Sequence, residues 1–274
     1  MTLYLIGLGL NDEKDITLRG LEAVKECDKV YLESYTAVLN CNIGDLKKLY
    51  NKDIIVADRD LIEKGIEKEI LAELESKPEL NIAILVVGDP MAATTHSDLI
   101  LRAKEKGVSV KIINNASIIN AIANTGLELY KFGKTTSITF PEKNWIPETC
   151  YDVIKMNKAN ELHTLCLLDI KVKEPSKDDL KSGKDSKEVV HEPRFMTVKE
   201  GLQYLLDIEK KRGEKVISED DLVIGCARIG AEDELIKYGK VKDLISVDFG
   251  KHLHCIVIPG KLHFKEEEML RLWE

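Results

Sequence analysis

The stretch Ile82-Ala83-Ile84-Leu85-Val86-Val87-Gly88-Asp89-Pro90-Met91-Ala92-Ala93-Thr94-Thr95-His96 runs from six apolar residues into a polar loop, and a helix-like stretch, Ser97 to Lys106, follows. An apolar run of that length closed by Gly and Pro reads as a buried strand, and the helix after it as half of a βαβ unit. Open α/β sheets bind ligands at the carboxyl ends of their strands, so residues 88–96 form the candidate ligand loop. Gly88 allows the backbone to turn, Pro90 stiffens the exit, and Asp89 supplies an acceptor for an amine or hydroxyl. A structural role stands beside this one, because Thr95 with Asp98 three residues on has the spacing of a helix cap. The two roles are compatible.

Working outward, strand-like and helix-like runs alternate: Leu3 to Ile6, Thr17 to Glu26, Val30 to Glu33, Asp53 to Ala57, Leu61 to Glu75, then Val108 to Ile113 beyond the loop. Such alternation predicts a mainly parallel sheet. Thr17 is placed to cap the first helix, whose Leu18, Leu21 and Val24 recur on one side. A small-residue helix is expected over Ile118 to Asn124. The spacing predicts two α/β domains, 1–114 and 115–274. The second has a mixed pattern, with strands at Thr136 to Phe140, His163 to Val172, Asp221 to Cys226 and Leu253 to Ile258. Its expected helices are Glu148 to Asn157, Val198 to Lys211 and Ala231 to Lys237. Thr197-x-x-Glu200 is a capping-box start, with Val198, Leu202, Leu205 and Leu206 on the apolar face. Residues 175–193 are rich in both charges and read as an exposed insert.

Composition narrows the function. The 274 residues are 44% hydrophobic and 32% charged with a formal charge of −8, a globular balance that disfavours a phosphate-backbone binder and predicts no direct nucleic-acid partner. Cys27, Cys41, Cys150, Cys166, Cys226 and Cys255 form no CxxC pair, so neither a zinc site nor a disulfide framework is expected. The amino terminus lacks a basic region before its apolar run, and no apolar stretch reaches the roughly 18 residues of a membrane span. A cytoplasmic location without membrane association follows as the expectation.

Gly7-x-Gly9 after the first strand suggests a nucleotide turn, but Asp12 stands where a dinucleotide fingerprint needs its third glycine, and no GKS/GKT phosphate loop is present. With Asp12, Glu13 and Asp15 beside the turn, a pyrophosphate would be repelled. A ligand without phosphates is favoured, a condition that S-adenosylmethionine meets. His252-x-His254, on an expected strand, would point both imidazoles to one face and could hold a metal, yet no third ligand is nearby, and core or ligand-lining histidines are the preferred reading. No metal is expected. Ser117 reads as a helix cap rather than a nucleophile.

These residues together resemble the diphthine synthases of the tetrapyrrole-methylase-like superfamily. The resemblance is carried by Gly7-Leu8-Gly9-Leu10 with Asp12-Glu13-Lys14-Asp15-Ile16-Thr17, and by Val30-Tyr31-Leu32-Glu33. It continues through Gly88-Asp89-Pro90 with Ala93-Thr94-Thr95-His96, Asn115-Ala116-Ser117-Ile118, Leu129-Tyr130-Lys131-Phe132-Gly133 and residues 163–170. It runs nearly end to end. It implies a two-domain α/β methyltransferase, usually a homodimer, with S-adenosylmethionine bound in a cleft between domains and S-adenosylhomocysteine as product. The implied substrate is the 3-amino-3-carboxypropyl group on one histidine of translation elongation factor 2, in diphthamide biosynthesis.

The insert, closing with Arg194-Phe195-Met196, looks like the eukaryotic branch, which implies diphthine methyl ester after four methyl transfers. The archaeal branch stops at three, on the amine. That product and a precorrin-type tetrapyrrole methyltransferase are the alternatives, with a non-turning-over binding module as a third. The resemblance places Leu10, Asp89, Ala92, Ser117, Ile118, Leu168, Ile229 and His254 on the cofactor. Met91, Ala92 and Cys226 depart from the residue types expected there. No general base is assigned: His96, Thr94 and Tyr31 are candidates by placement, and proton loss to water is the alternative. The lysines at 177–187 are read as solvated rather than as a docking surface.

Overall fold

A computed structural model describes residues 1–33, 39–59, 61–93, 96–142, 145–171 and 193–274. The chain divides into two compact units, one of residues 1–121 with 230–232 and one of 122–229 with 233–274.

The first unit is built on five parallel strands, β1 (Thr2–Gly7), β2 (Lys29–Glu33), β3 (Ile54–Ala57), β4 (Asn81–Val86) and β5 (Ser109–Ile113), in the order β3-β2-β4-β1-β5. Alternate residues of β1 serve different faces, with Tyr4 and Ile6 joining Val30, Ile54, Ala83 and Leu85 in one core. From β1 the chain crosses to β2 on one side, whereas from β4 it crosses to β5 on the other. Right-handed crossovers in opposite directions put their helices on opposite faces, so the crevice beyond the adjacent ends of β1 and β4 is the topological switch point.

Helix α1 (Leu18–Glu26) starts at Thr17, whose hydroxyl accepts the Gly20 amide at 3.0 Å. The face it buries is rotated from the one expected. Leu18 is 73% exposed, while Gly20, Ala23 and Val24 are buried. Gly20 causes this by letting the helix close on Ile6 and Ile16, whose side-chain carbons lie 3.0 Å from where a Cβ would stand. Helix α2 (Ile43–Tyr50), which periodicity did not single out, begins in a capping box of Asn42 and Asp45. The stretch from Leu61 is helical but widely wound before it tightens into α3 (Ala72–Ser76).

The second unit is centred on a mixed sheet in the order β11-β10-β12-β7-β6: β6 (Thr136–Ile138), β7 (Thr164–Leu168), β10 (Leu222–Ala227), β11 (Leu235–Lys240) and β12 (His254–Ile258). Only β6 and β7 run parallel. A separate two-residue pair joins β8 (Ile170–Lys171) to β9 (Arg194–Phe195). Helix α6 is Thr149–Ala159, and α7 is Val198–Arg212, which starts in the expected capping box of Thr197 and Glu200 and buries Val198, Leu202 and Leu205. The helix expected over Ala231 to Lys237 does not form: residues 231–234 turn, and the chain enters β11 at Leu235. Its ladder to β10 overrides a weak helical pattern in a half-exposed charged segment. Short helices α8 (Val241–Leu244) and α9 (Phe264–Leu270) complete the unit. Nearly all of the 175–193 insert, and all of the lysines at 177–187, lie outside the described residues. No helix among those residues is long and apolar enough to cross a membrane.

Candidate active site

In the first unit the expected ligand residues gather at the switch point. Gly7 passes so close to its neighbours that an added Cβ would lie 2.6 Å from the Gly88 carbonyl and 2.8 Å from Asn115 Cβ. Gly9 and Gly88, with φ of +80° and +78°, exchange two backbone hydrogen bonds: Gly88 N–H to Gly9 O at 2.7 Å and Gly9 N–H to Gly88 O at 3.2 Å. A conformation that side chains rarely adopt thus lets two adjacent strand ends stay paired as they turn.

Asp89 stitches the site together. Its carboxylate accepts Met91 N–H at 2.7 Å on one oxygen and Asn115 N–H at 2.9 Å on the other. Asn115 in turn donates to Gly7 O at 3.0 Å and Asp15 O at 2.9 Å, joining the loops beyond β1, β4 and β5. The next element, α5 (Ile118–Ala121), is capped as the sequence suggests, Ser117 Oγ accepting Ile119 N–H at 3.0 Å. Ser117 is buried, and Ala92, Ile118 and Leu10 are half-buried.

The amides that follow β1 are not open to a phosphate. Leu10 N–H and Asn11 N–H both point to Asp15 Oδ2, at 3.1 and 2.8 Å. An anion-binding pair of backbone donors is therefore filled by the protein's own carboxylate. Asp15 was read from sequence only as a repulsive neighbour. Its spacing from a Gly-x-Gly turn is the signal that could have revealed the plug.

His96, expected in the loop, is the first residue of helix α4 (His96–Glu105) and is 4% exposed. Its Nε2 lies 2.6 Å from Glu33 Oε2 and its Nδ1 lies 2.9 Å from Pro90 O. Burial pushes the imidazole pKa down, but the hydrogen bond and charge of Glu33, with the Pro90 carbonyl, outweigh it and hold it above the ordinary histidine value. Glu33, buried at the end of β2, was not singled out from sequence, although a lone acid closing an apolar strand is a recognisable signal. Tyr31 is buried, and burial raises its phenol pKa. Thr94, and Thr95 of the expected helix cap, lie outside the described residues.

In the second unit, Ala227 pairs with His254 and Leu167 with Cys255, so Leu168, His254 and Ile229 share one end of three adjacent strands, β7, β12 and β10. All three are buried. His254 Nε2 lies 2.9 Å from Lys251 O, which must accept, so Nε2 carries the proton and Nδ1 is a bare acceptor. That buried Nδ1 has no hydrogen-bond partner among the described residues, and burial lowers the pKa of the ring. His252 does not share a strand face with it. The strand begins only at His254, and the His252 ring stacks on Phe195 at 3.6 Å between centroids. Among the described residues no group of three or more His, Cys, Asp or Glu could hold a metal.

A third polar cluster explains a motif without belonging to the ligand residues. Glu266 and His163, both fully buried, meet at 2.9 Å, and Lys131 donates to the other Glu266 oxygen. Gly260 N–H donates to His163 Nδ1 at 2.9 Å, so His163 is neutral with its proton on Nε2, and burial lowers its pKa. Burial alone would raise the Glu266 pKa, yet Lys131, the amides of His263 and Glu128, and His163 bring it down to about 2. Residues 129–133 are thereby fastened to the start of α9.

A family profile described as Tetrapyrrole (Corrin/Porphyrin) Methylases matches residues 2–245. The chain is 48% identical over 271 residues to the diphthine methyl ester synthase of Dictyostelium discoideum, covering 98% of this chain and 96% of that one. It is 47% identical over 270 residues to the diphthine synthase of Methanocaldococcus jannaschii, covering 98% and 97%. The crystal structure of a diphthine synthase superposes with a TM-score of 0.83 at 34% identity, over 100% of this chain and 96% of the other.

Proposed function

The chain belongs to the tetrapyrrole methylase family, and within it to the diphthine synthases; from that premise we propose that it carries the aminocarboxypropyl-histidine of translation elongation factor 2 to diphthine methyl ester, in four methyl transfers from S-adenosylmethionine. The observation that carries this reading is an identity of nearly half sustained over almost the whole chain. The site chemistry supports a donor without phosphates, since the backbone donors after β1 are already closed by Asp15. The bare Nδ1 of His254 also fits, because an amine or hydroxyl of the cofactor supplies the donor it lacks.

We assign the cofactor to Leu10, Asp89, Ala92, Ser117, Ile118, Leu168, Ile229 and His254, the positions the family resemblance implies. When bound, S-adenosylmethionine supplies an electrophilic methyl on a sulfonium, the C–S bond breaking as a substrate lone pair makes the new bond. The chain's own task is to hold the two partners in line and exclude water. Well-oriented pairs gain roughly 7 to 11 kcal/mol from proximity, so a strong base is not required. The amine loses its proton to water before the first attack, and the carboxylate step needs no deprotonation. Buried apolar walls such as Leu168 and Ile229 favour a step in which the donor's charge is lost. We propose that the protein works as a homodimer in the cytoplasm.

The test is incubation of the purified protein with S-adenosylmethionine and elongation factor 2 carrying the aminocarboxypropyl intermediate, followed by mass spectrometry of the modified peptide. Four added methyl groups support the proposal. Three would make the product diphthine, and none would remove elongation factor 2 as the substrate.

A further inference from the structure

The loop after β4 is held from two sides. Toward β1 and β5, Gly88 pairs with Gly9 and Asp89 accepts Asn115 N–H. Toward β2 it is held indirectly through Pro90: the buried Pro90 carbonyl lies 2.9 Å from His96 Nδ1, and His96 Nε2 lies 2.6 Å from Glu33. Proline has no N–H, so its carbonyl is the one backbone hydrogen-bonding group that can fix this position.

The proton arrangement is set by the partners. A carbonyl can only accept, so Nδ1 must carry a proton that it donates to Pro90. The 2.6 Å contact between Nε2 and the Glu33 carboxyl holds the other edge of the ring, so the bond to Pro90 is kept. A charge-assisted bond of this kind, inaccessible to water, resists bending far more than a surface contact.

We propose that Glu33 and His96 are positioning residues of the methyl-donor site, which act by fixing the Pro90 carbonyl and through it the Asp89–Ala92 segment. The proposal rests on the preceding assignment of Asp89 and Ala92 to the cofactor. His96 then acts through the loop and touches no reacting atom. Its protonation state serves geometry and not proton removal.

Side-chain geometry allows a selective test on the full-length protein. The amide nitrogen of Asn falls near His Nδ1, so His96→Asn keeps the donor to Pro90. The longer Gln reaches toward Glu33 and loses Pro90. Glu33→Gln preserves a hydrogen bond to Nε2, whereas Glu33→Ala removes it. Binding of S-adenosylhomocysteine is measured by calorimetry, and cofactor KM and kcat by methyl transfer to elongation factor 2 carrying the intermediate. Thermal melts confirm that each variant is folded at the assay temperature.

Glu33→Gln is expected to stay within about threefold of the wild type in Kd and KM, and His96→Asn, which keeps Pro90 but loses Glu33, to fall between it and His96→Gln. His96→Gln and Glu33→Ala are expected to weaken both by about tenfold or more, with kcat at saturating cofactor little changed. Unchanged Kd in folded His96→Gln and Glu33→Ala overturns the proposal. A collapse of kcat in His96→Asn with normal Kd also overturns it, by placing His96 at the reacting atoms. Wild-type protein that neither binds S-adenosylhomocysteine nor transfers methyl groups overturns the cofactor assignment itself, an outcome distinct from both.

Discussion

Replacing Glu266 with Gln removes the charge at the centre of the cluster that ties residues 129–133 to α9. The native carboxylate has a pKa near 2 against 4.5 unperturbed, a displacement of about 2.5 units worth about 3 kcal/mol at 1.36 kcal/mol per unit. Breaking one side of a buried ion pair typically costs roughly 3 to 5 kcal/mol, and the partial exposure of Lys131, 22% for its side chain, favours the lower end. Because the folded pKa is depressed, the stabilisation is complete above about pH 4.5 and is lost as pH falls through about 2. Urea unfolding followed by tryptophan fluorescence is a suitable assay, since Trp273 Nε1 donates to Thr125 O at 2.9 Å within the same unit. With a slope of roughly 2 to 3 kcal/mol per molar, the variant's midpoint at pH 7 should fall by about 1 to 1.5 M. The deficit should shrink to less than half near pH 3. A midpoint shift under about 0.3 M at pH 7, or one of equal size at both pH values, refutes the reasoning.

Three other outcomes are expected. Gly7→Ala must displace the Gly88 carbonyl or Asn115, which costs about 1 to 3 kcal/mol and raises cofactor KM; a variant with wild-type melting temperature and KM contradicts this. Thr197→Ala loses the capping box of α7 and should cost about 1 kcal/mol in chemical denaturation, most of it recovered by Thr197→Ser. His96 and His163 should respond to pH in opposite senses. The raised pKa of His96 gives stabilisation that is full below about pH 6.5 and lost as pH rises through its folded value; the lowered pKa of His163 gives stabilisation present above about pH 6.5 and lost as pH falls through its own. Histidine ring NMR titration checks this, and a His163 that charges at or above pH 6.5 would disprove its half.

The parts of the fold legible in the sequence were those where burial and periodicity agree. The continuous apolar runs of β1 and β4 and the glycines that close them marked two strand ends and a loop at the carboxyl end of one, and Thr17, Ser117 and Thr197 announced their caps. Legibility failed where partners distant in the chain decide the outcome. Leu235–Lys240 is a strand because β10 lies beside it, not because of its own pattern. Leu18 looked like a core residue until Gly20 set the approach of its helix. The α9 capping box uses His263 in place of the usual Ser or Thr and so gave no ordinary signal. For the candidate site the sequence offers a list of positions. Its wiring was not legible, since the bonds from Asp89 to Asn115 and from His96 to Glu33 span 26 and 63 residues.

The carboxylate of Asp15, seated on the Leu10 and Asn11 amides, acts as a tethered competitor for any anion that approaches those two donors. A free phosphate ester would have to displace an anion present at very high effective concentration. A phosphate group is thus disfavoured at this turn by occupancy rather than by shape. Selectivity against phosphates at this turn begins with a seat that is already taken.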